Sequence, residues 1–252
     1  MRLLTLARDL RRRKARERNG LFVVEGVRAV EELARSPLAI TGALASTDLA
    51  ATPRGAALRE SLAARGVEIV TVTVAEFDSA AETDSPQGIL AIATTPTRTL
   101  DDFTTTDPAR ILVLDAVQDP GNVGTIVRTA AGLGATATVA LPGTVDLWNA
   151  KVVRSAMGAH FLHRALHCTW DELRLFLERS SLPLWGADAR GAPASRASAP
   201  SRLALAVGNE GAGLSESVQR RVERLVSLPL ATGVESLNVA VAASLLLYEL
   251  RP

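Results

Sequence analysis

Apolar positions along the chain fall into short continuous runs. Between them lie segments whose apolar residues recur every three or four positions. LFVVEG (21–26), AITGALAS (39–46), EIVTVT (68–73) and GILAIAT (88–94) read as strands. TLARDLRRRKARERNG stopped by Gly20, VRAVEELARS before Pro37, and RGAALRESLAARG with its Gly stop read as helices. A small α/β domain over 1–95 follows from that alternation. The polar, Thr-rich stretch after it, with Pro96 and Pro108, reads as a linker over 96–106.

The rest, 107–252, alternates again. ILVLDAV, ATATVAL, RALHC, LPLWGAD, LALAVG and RLVSLPL are the predicted strands. Helices are predicted over Asn122–Gly132, Asn149–Met157, Asp171–Arg179, Leu214–Val222 and Ser236–Leu250. Continuously apolar strands separated by helices predict a mostly parallel sheet covered on both faces. ARGAPASRASAPSR reads as a surface loop. The last helix is apolar nearly all round, which predicts a subunit interface in addition to a core contact.

Composition narrows the class. A chain of 252 residues with one Cys has no internal disulfide and fits a reducing, cytoplasmic setting. Its longest uncharged apolar run is too short to span a bilayer. Net charge is only +1, yet residues 1–20 hold eight basic side chains against two acidic ones. Arg8, Arg11, Arg12, Arg13, Lys14, Arg16 and Arg18 in that stretch are candidates for contacts with a polyanion; a solvated helix is the plainer alternative.

Three polar islands interrupt the apolar second half, each where a strand ends and a ligand would bind in a parallel sheet. In DPGNVGTIVRTAAGLGA, Asn122 either caps the helix or serves a site, and Arg128 shares one helix face with Thr125, Thr129 and Gly132. Arg128 is either a surface arginine or one aimed at a phosphate or carboxylate. In AVGNEGAGLSESV, three glycines around Glu210 allow close backbone approach or an ordinary turn. In LPLATGVESLNVAVA, Ser236 reads as an N-cap and Asn238 as a first-turn polar residue.

Taken in order, the three islands resemble the SpoU-type RNA 2′-O-ribose methyltransferases of the SPOUT class. Asn122-x-Gly124-x-x-x-Arg128, GNEGAGLS and the Pro followed by SLN match that family's motifs, and the N-terminal part resembles its substrate-binding domain. The resemblance implies an α/β catalytic domain with a deep trefoil knot over 107–252 and an RNA-binding domain over 1–95. It also implies a homodimer through the last helix and a bound S-adenosylmethionine. The family's catalytic polar residues fall on Asn122, Arg128, Glu210, Ser236 and Asn238, with Arg128 also meeting RNA. Its methyl-donor contacts fall on Gly208, Asn209, Gly213, Leu228, Pro229, Leu237 and Asn238. The substrate implied is RNA, ribosomal rather than transfer RNA, with no metal and no membrane. A tRNA methyltransferase and a noncatalytic RNA-binding protein on the same fold are the alternatives.

A dinucleotide-dependent oxidoreductase would need G-x-G-x-x-G, which neither GLGAT nor GNEGAG supplies. His160, His163, His167 and Cys168 crowd together, but their spacing matches no zinc pattern.

Overall fold

The computed structural model describes residues 2–103, 106–195 and 199–251. They form two compact units. Among them no helix is long and apolar enough to cross a membrane.

The first unit takes residues up to Thr97 and, from later in the chain, Trp148–Leu162. The helix predicted over residues 5–20 is two helices, α1 (Arg2–Asp9) and α2 (Arg13–Asn19). At the break, Nη1 of Arg16 donates to the carbonyls of Leu10 at 2.8 Å and Arg11 at 2.9 Å. It thereby satisfies backbone oxygens left open where α1 stops. Gly20 ends α2 in the left-handed region at φ 61°.

Strand β1 (Leu21–Glu25), helix α3 (Val27–Arg35), strand β2 (Ile40–Ser46), helix α4 (Pro53–Ala64), strand β3 (Ile69–Val72), helix α5 (Val74–Asp78) and strand β4 (Ile89–Thr94) follow. The sheet runs β1-β4-β2-β3, with only β2 and β3 parallel. Period-two alternation feeds two cores. Phe22 and Val24 of β1 join Val30, Leu33 and Leu58, while Val23 joins Leu4, Leu10 and Phe77 on the other face. Helix α5 is too short to show in the apolar pattern. It is nucleated by a capping box in which Thr73 and Glu76 bond each other's backbone N–H.

The second unit holds Arg98–Leu147 and His163–Pro252. The expected linker is largely absent. Leu100 and Phe103 are buried in this unit's core, and Phe103 meets Phe176 edge to face at 6.4 Å. Residues 104 and 105 of that linker lie outside the described residues.

Strand β5 (Ala109–Leu114) leads through a loop into helix α6 (Pro120–Gly132) and strand β6 (Ala137–Ala140). Helix α7 (Ala150–Ser155) then belongs to the first unit, contrary to an unbroken domain over 107–252. Aromatic packing explains this: Trp148 meets Phe22 at 4.4 Å, and Phe161 meets it at 6.3 Å.

The chain continues with β7 (Ala165–His167), α8 (Trp170–Arg179), β8 (Leu184–Pro193), β9 (Arg202–Val207), α9 (Glu216–Gln219), β10 (Arg224–Ser227) and α10 (Val239–Glu249). All six strands are parallel, in the order β10-β8-β9-β5-β6-β7. The expected surface loop at 189–202 begins as strand, because β8 runs on to Pro193 and pairs Ala192 with Val226. Gly191 permits this, since a Cβ there would lie 2.6 Å from the Leu225 carbonyl carbon. Residues 196–198 of that loop are outside the described residues.

The histidine-rich stretch is occupied locally. His163 is buried and bonds Thr138 Oγ1 at 2.9 Å, and its pKa is pushed down to about 4 by burial and then by Arg98. His167 Nε2 accepts from the Leu147 N–H, and His160 packs on Trp148. Burial pushes the Cys168 thiol up to about 12, so at neutral pH it is not a thiolate.

Candidate active site

Parallel strands bring the loops after β5, β8, β9 and β10 to one edge of the sheet, and all three polar islands lie on those loops. Helix α6 begins at Pro120 with Asp119 as its cap, accepting from the Asn122 N–H at 2.8 Å. The capping role open to Asn122 thus falls to Asp119, which releases the Asn122 side chain. Helix α10 begins at Val239, and Asn238 rather than Ser236 is its cap, Oδ1 accepting from Ala240 and Val241 N–H.

Three side chains join in a directed row. Asn238 Nδ2 donates to Asn122 Oδ1 at 3.0 Å, and Asn122 Nδ2 donates to Glu210 Oε1 at 2.8 Å. A carboxylate only accepts, so Glu210 fixes the amide orientation of Asn122, and the α10 cap fixes that of Asn238. The row links the loops after β5, β9 and β10.

The turn after β9 is braced from within. Asn209 and Gly213 exchange two backbone hydrogen bonds, and Asn209 Oδ1 accepts from Gly211 and Ala212 N–H. Asn209 Nδ2 reaches across to the Ala116 carbonyl at 3.0 Å. Asp115, almost fully buried, accepts from the Ser215 N–H at 2.6 Å. Ala116 has φ 58°, a costly value for a residue with a Cβ, held where the two loops meet.

Beside the row lies a cavity of 370 Å³. Of the expected donor contacts, Gly208, Asn209, Gly213, Leu228 and Leu237 line it, as do Glu210 and Ser236. Pro229, Asn238 and Asn122 are outside its lining, the last two reaching it through Glu210 and the row. Arg128 is exposed on α6 and is also outside the lining. Asp188 also lines the cavity, although nothing in the residues around it marks it out. Arg190 grips both its oxygens, at 3.0 and 2.8 Å, and that bond first of all holds its carboxyl below the usual range.

On the basic N-terminal stretch, Arg8, Arg11, Arg12, Arg13, Lys14 and Arg18 are exposed. Arg12 pairs with Asp9, Arg13 with Glu17, and Arg8 bonds Ser79. Arg16 is 5% exposed and holds the α1–α2 break, so it leaves the set of phosphate candidates.

Comparison with known proteins agrees in both units. The SpoU rRNA methylase family matches residues 109–248, and the MRM3-like substrate binding domain matches 5–91. The Bacillus subtilis protein 23S rRNA (guanosine(2553)-2′-O)-methyltransferase RlmP is 35% identical over 249 residues, covering 97% of this chain and 94% of its own. The SpoU methyltransferase AviRb of Streptomyces viridochromogenes, solved in complex with the cofactor AdoMet, superposes with a TM-score of 0.89 at 26% identity. That match covers 98% of this chain and 96% of AviRb. An rRNA methyltransferase from Sinorhizobium meliloti shares the fold, with a TM-score of 0.85 at 24% identity over 98% of this chain and 93% of its own. The chain belongs to the SpoU rRNA methylase family, and it is a methyltransferase.

Proposed function

We propose that the chain transfers the methyl group of S-adenosylmethionine to a ribose 2′-hydroxyl of ribosomal RNA. The observation that carries this reading is the row Asn238–Asn122–Glu210 beside a glycine-walled cavity. The cavity suits that donor. Gly208 lets the turn close tightly on Gly213 to form one wall, and Glu210 and Glu235 offer carboxylates to a ligand with a sulfonium charge. Gly208, Asn209, Gly213, Leu228 and Leu237 would hold it. The donor, when bound, supplies an electrophilic methyl group.

The protein's task is the hydroxyl. Transfer would form a new ribose O–C bond as the donor's C–S bond breaks, with the hydroxyl proton released to solvent. A ribose hydroxyl is too weak an acid to ionise unaided, so it needs in-line orientation and proton removal. Arg128 meets the adjacent RNA phosphate and the hydroxyl, which its planar fork suits. The Asn238–Asn122–Glu210 row and Ser236 position ribose and donor. Calorimetry tests the donor assignment. S-adenosylmethionine should bind and NAD should not, and the reverse would overturn it.

Ribosomal RNA is favoured over transfer RNA by membership of the SpoU rRNA methylase family and by the Bacillus relative, a 23S rRNA methyltransferase. Exposed Arg11, Lys14 and Arg18 supply phosphate contacts. Deleting the segment is a poor test, since Leu4, Ala7 and Leu10 are core residues. Replacing Arg11, Lys14 and Arg18 with Gln should weaken RNA binding. It should also lower the log–log salt slope by about 0.7–0.9 for each phosphate no longer neutralised. Equal slopes would make the stretch a solvated helix.

We propose further that the protein works as a cytoplasmic homodimer and that its C-terminal segment threads through a loop of the catalytic domain as a trefoil knot. In the single chain, Val241, Leu245 and Tyr248 are 48%, 45% and 52% exposed, a stripe at helical spacing on a helix whose opposite face is core. Ala242 lines the cavity, so it is unsuitable for probing the interface. Leu245→Glu should convert dimers to monomers in sedimentation at micromolar concentration. A wild type already monomeric there would refute dimerisation.

A further inference from the structure

The first unit holds a cavity of its own, of 280 Å³. It lies where β1 gives way to α3, beside the 83–87 segment and the end of α7. Its charged lining is Glu25, Arg28, Glu32 and Arg154, with Thr83, Ser85 and Gln87 as further polar residues, and Met157, 42% exposed, also lines it. Nη1 of Arg154 is buried and has no hydrogen-bond partner among the described residues. A guanidinium donor without an acceptor is costly, and Arg154 lines the cavity, so an acceptor group entering there would relieve that cost.

The charges decide what kind of ligand fits. Two arginines, Arg28 and Arg154, and two carboxylates, Glu25 and Glu32, line the same cavity, and Glu32 also accepts from Arg35 Nη1 at 3.3 Å. A bare phosphate would bring further negative charge beside those carboxylates. A neutral group bearing both acceptors and donors meets both sets. Glu25 is already held in place by the Glu82 N–H at 2.9 Å and by the Thr83 hydroxyl. Gln87 Oε1 accepts from the Val27 N–H at 2.8 Å, so its amide NH2 is the remaining donor end. The Met157 thioether offers an apolar, polarisable edge of the kind that packs on aromatic rings. The volume lies just below the roughly 300 Å³ at which pockets for drug-sized ligands begin, and suits a single planar heterocycle.

We propose that this cavity receives one unstacked guanine from a single-stranded segment of the RNA substrate, with Arg154 donating to its O6 and N7. Guanine presents those two acceptors to a guanidinium, and its N1–H and N2–H groups match the carboxylates. Protein recognition of RNA sequence works mainly on such splayed bases. The inference rests on the reading that the chain acts on RNA, and it makes the first unit a reader of sequence in addition to a polyelectrolyte contact.

Fluorescence anisotropy with the full chain tests it. The probes are a labelled oligouridylate of about twelve nucleotides and the same strand with one central guanosine, adenosine or cytidine. The wild type should bind the guanosine strand about tenfold more tightly than the others. Arg154→Met should abolish that preference. It should leave oligouridylate affinity and S-adenosylmethionine calorimetry unchanged. Met157→Glu, on the exposed rim, should reduce the preference without touching the interior, and it serves if Arg154→Met fails to fold. A wild type without guanosine preference, or a folded Arg154→Met that keeps it, overturns the proposal. An equal drop in affinity for all four strands also overturns it, since that is how a phosphate contact behaves. Failure of the underlying RNA reading looks different: no strand binds at all.

Discussion

Arg128→Ala should lower methyl transfer by about 10²–10³-fold or more and leave S-adenosylmethionine affinity nearly unchanged. Arg128 is the one charged residue between Asn122 and Ala140, and it stands on the exposed face of α6 with Thr125 and Gly132. It lies outside the lining of the donor cavity, so donor binding has no reason to fall with it. As an exposed side chain its removal should change stability by no more than about 0.5 kcal/mol, which makes the thermal melt a clean control. Arg128→Lys should rescue poorly, because an ammonium replaces the charge and lacks the two-pronged geometry. Single-turnover methylation of the true target separates the possibilities. Activity within a few-fold of wild type would return Arg128 to the status of a solvated surface residue.

Gly208→Val should abolish S-adenosylmethionine binding in calorimetry. The physical cause differs from simple occupation of donor space. A Cβ at 208 would lie 2.2 Å from the Gly213 carbonyl carbon, 2.3 Å from its oxygen and 2.5 Å from the Leu214 nitrogen. Backbone cannot move aside as a side-chain tip can, so the two ends of the turn would be forced apart. The paired Asn209–Gly213 hydrogen bonds would break, and with them the cavity wall. Near-wild-type affinity in a folded Gly208→Val protein would mean that this turn does not hold the donor. Gly211→Ala is the matched control. Its nearest new neighbour is Asn209 Oδ1 at 3.7 Å, an ordinary van der Waals distance, and binding should survive.

Much of the fold is legible because strong local signals agree with it. The continuous apolar runs ILVL, ATVA and LALAV form β5, β6 and β9 in an all-parallel sheet, as burial on both faces requires. What the sequence hides is set by tertiary contact. Periodicity alone does not distinguish one basic helix from two joined by an inward-turned Arg16. Nor does it show that Trp148 and Phe161 leave their sequence neighbours to pack on Phe22. Leu100 and Phe103 are masked by the Thr, Asp and Pro around them.

The site divides in the same way. Asn122, Glu210 and Asn238 stand out as polar residues at strand ends in an apolar domain, and folding joins them in one row. Asp115, Asp119 and Asp188 carry no such signal. An aspartate after a strand or before a Pro is ordinary, and only the fold reveals that one ties two loops, one caps α6 and one faces the cavity.

The central claim is methyl transfer to ribose in ribosomal RNA. It is tested most directly by incubating the purified chain with methyl-labelled S-adenosylmethionine and unmodified ribosomal and transfer RNA, then mapping the label. The expected result is label on a ribose 2′-oxygen of ribosomal RNA, seen as a dinucleotide that resists alkaline hydrolysis, and its disappearance with Arg128→Ala. Label on a base, label confined to transfer RNA, or no transfer by a protein that binds both donor and RNA would contradict it.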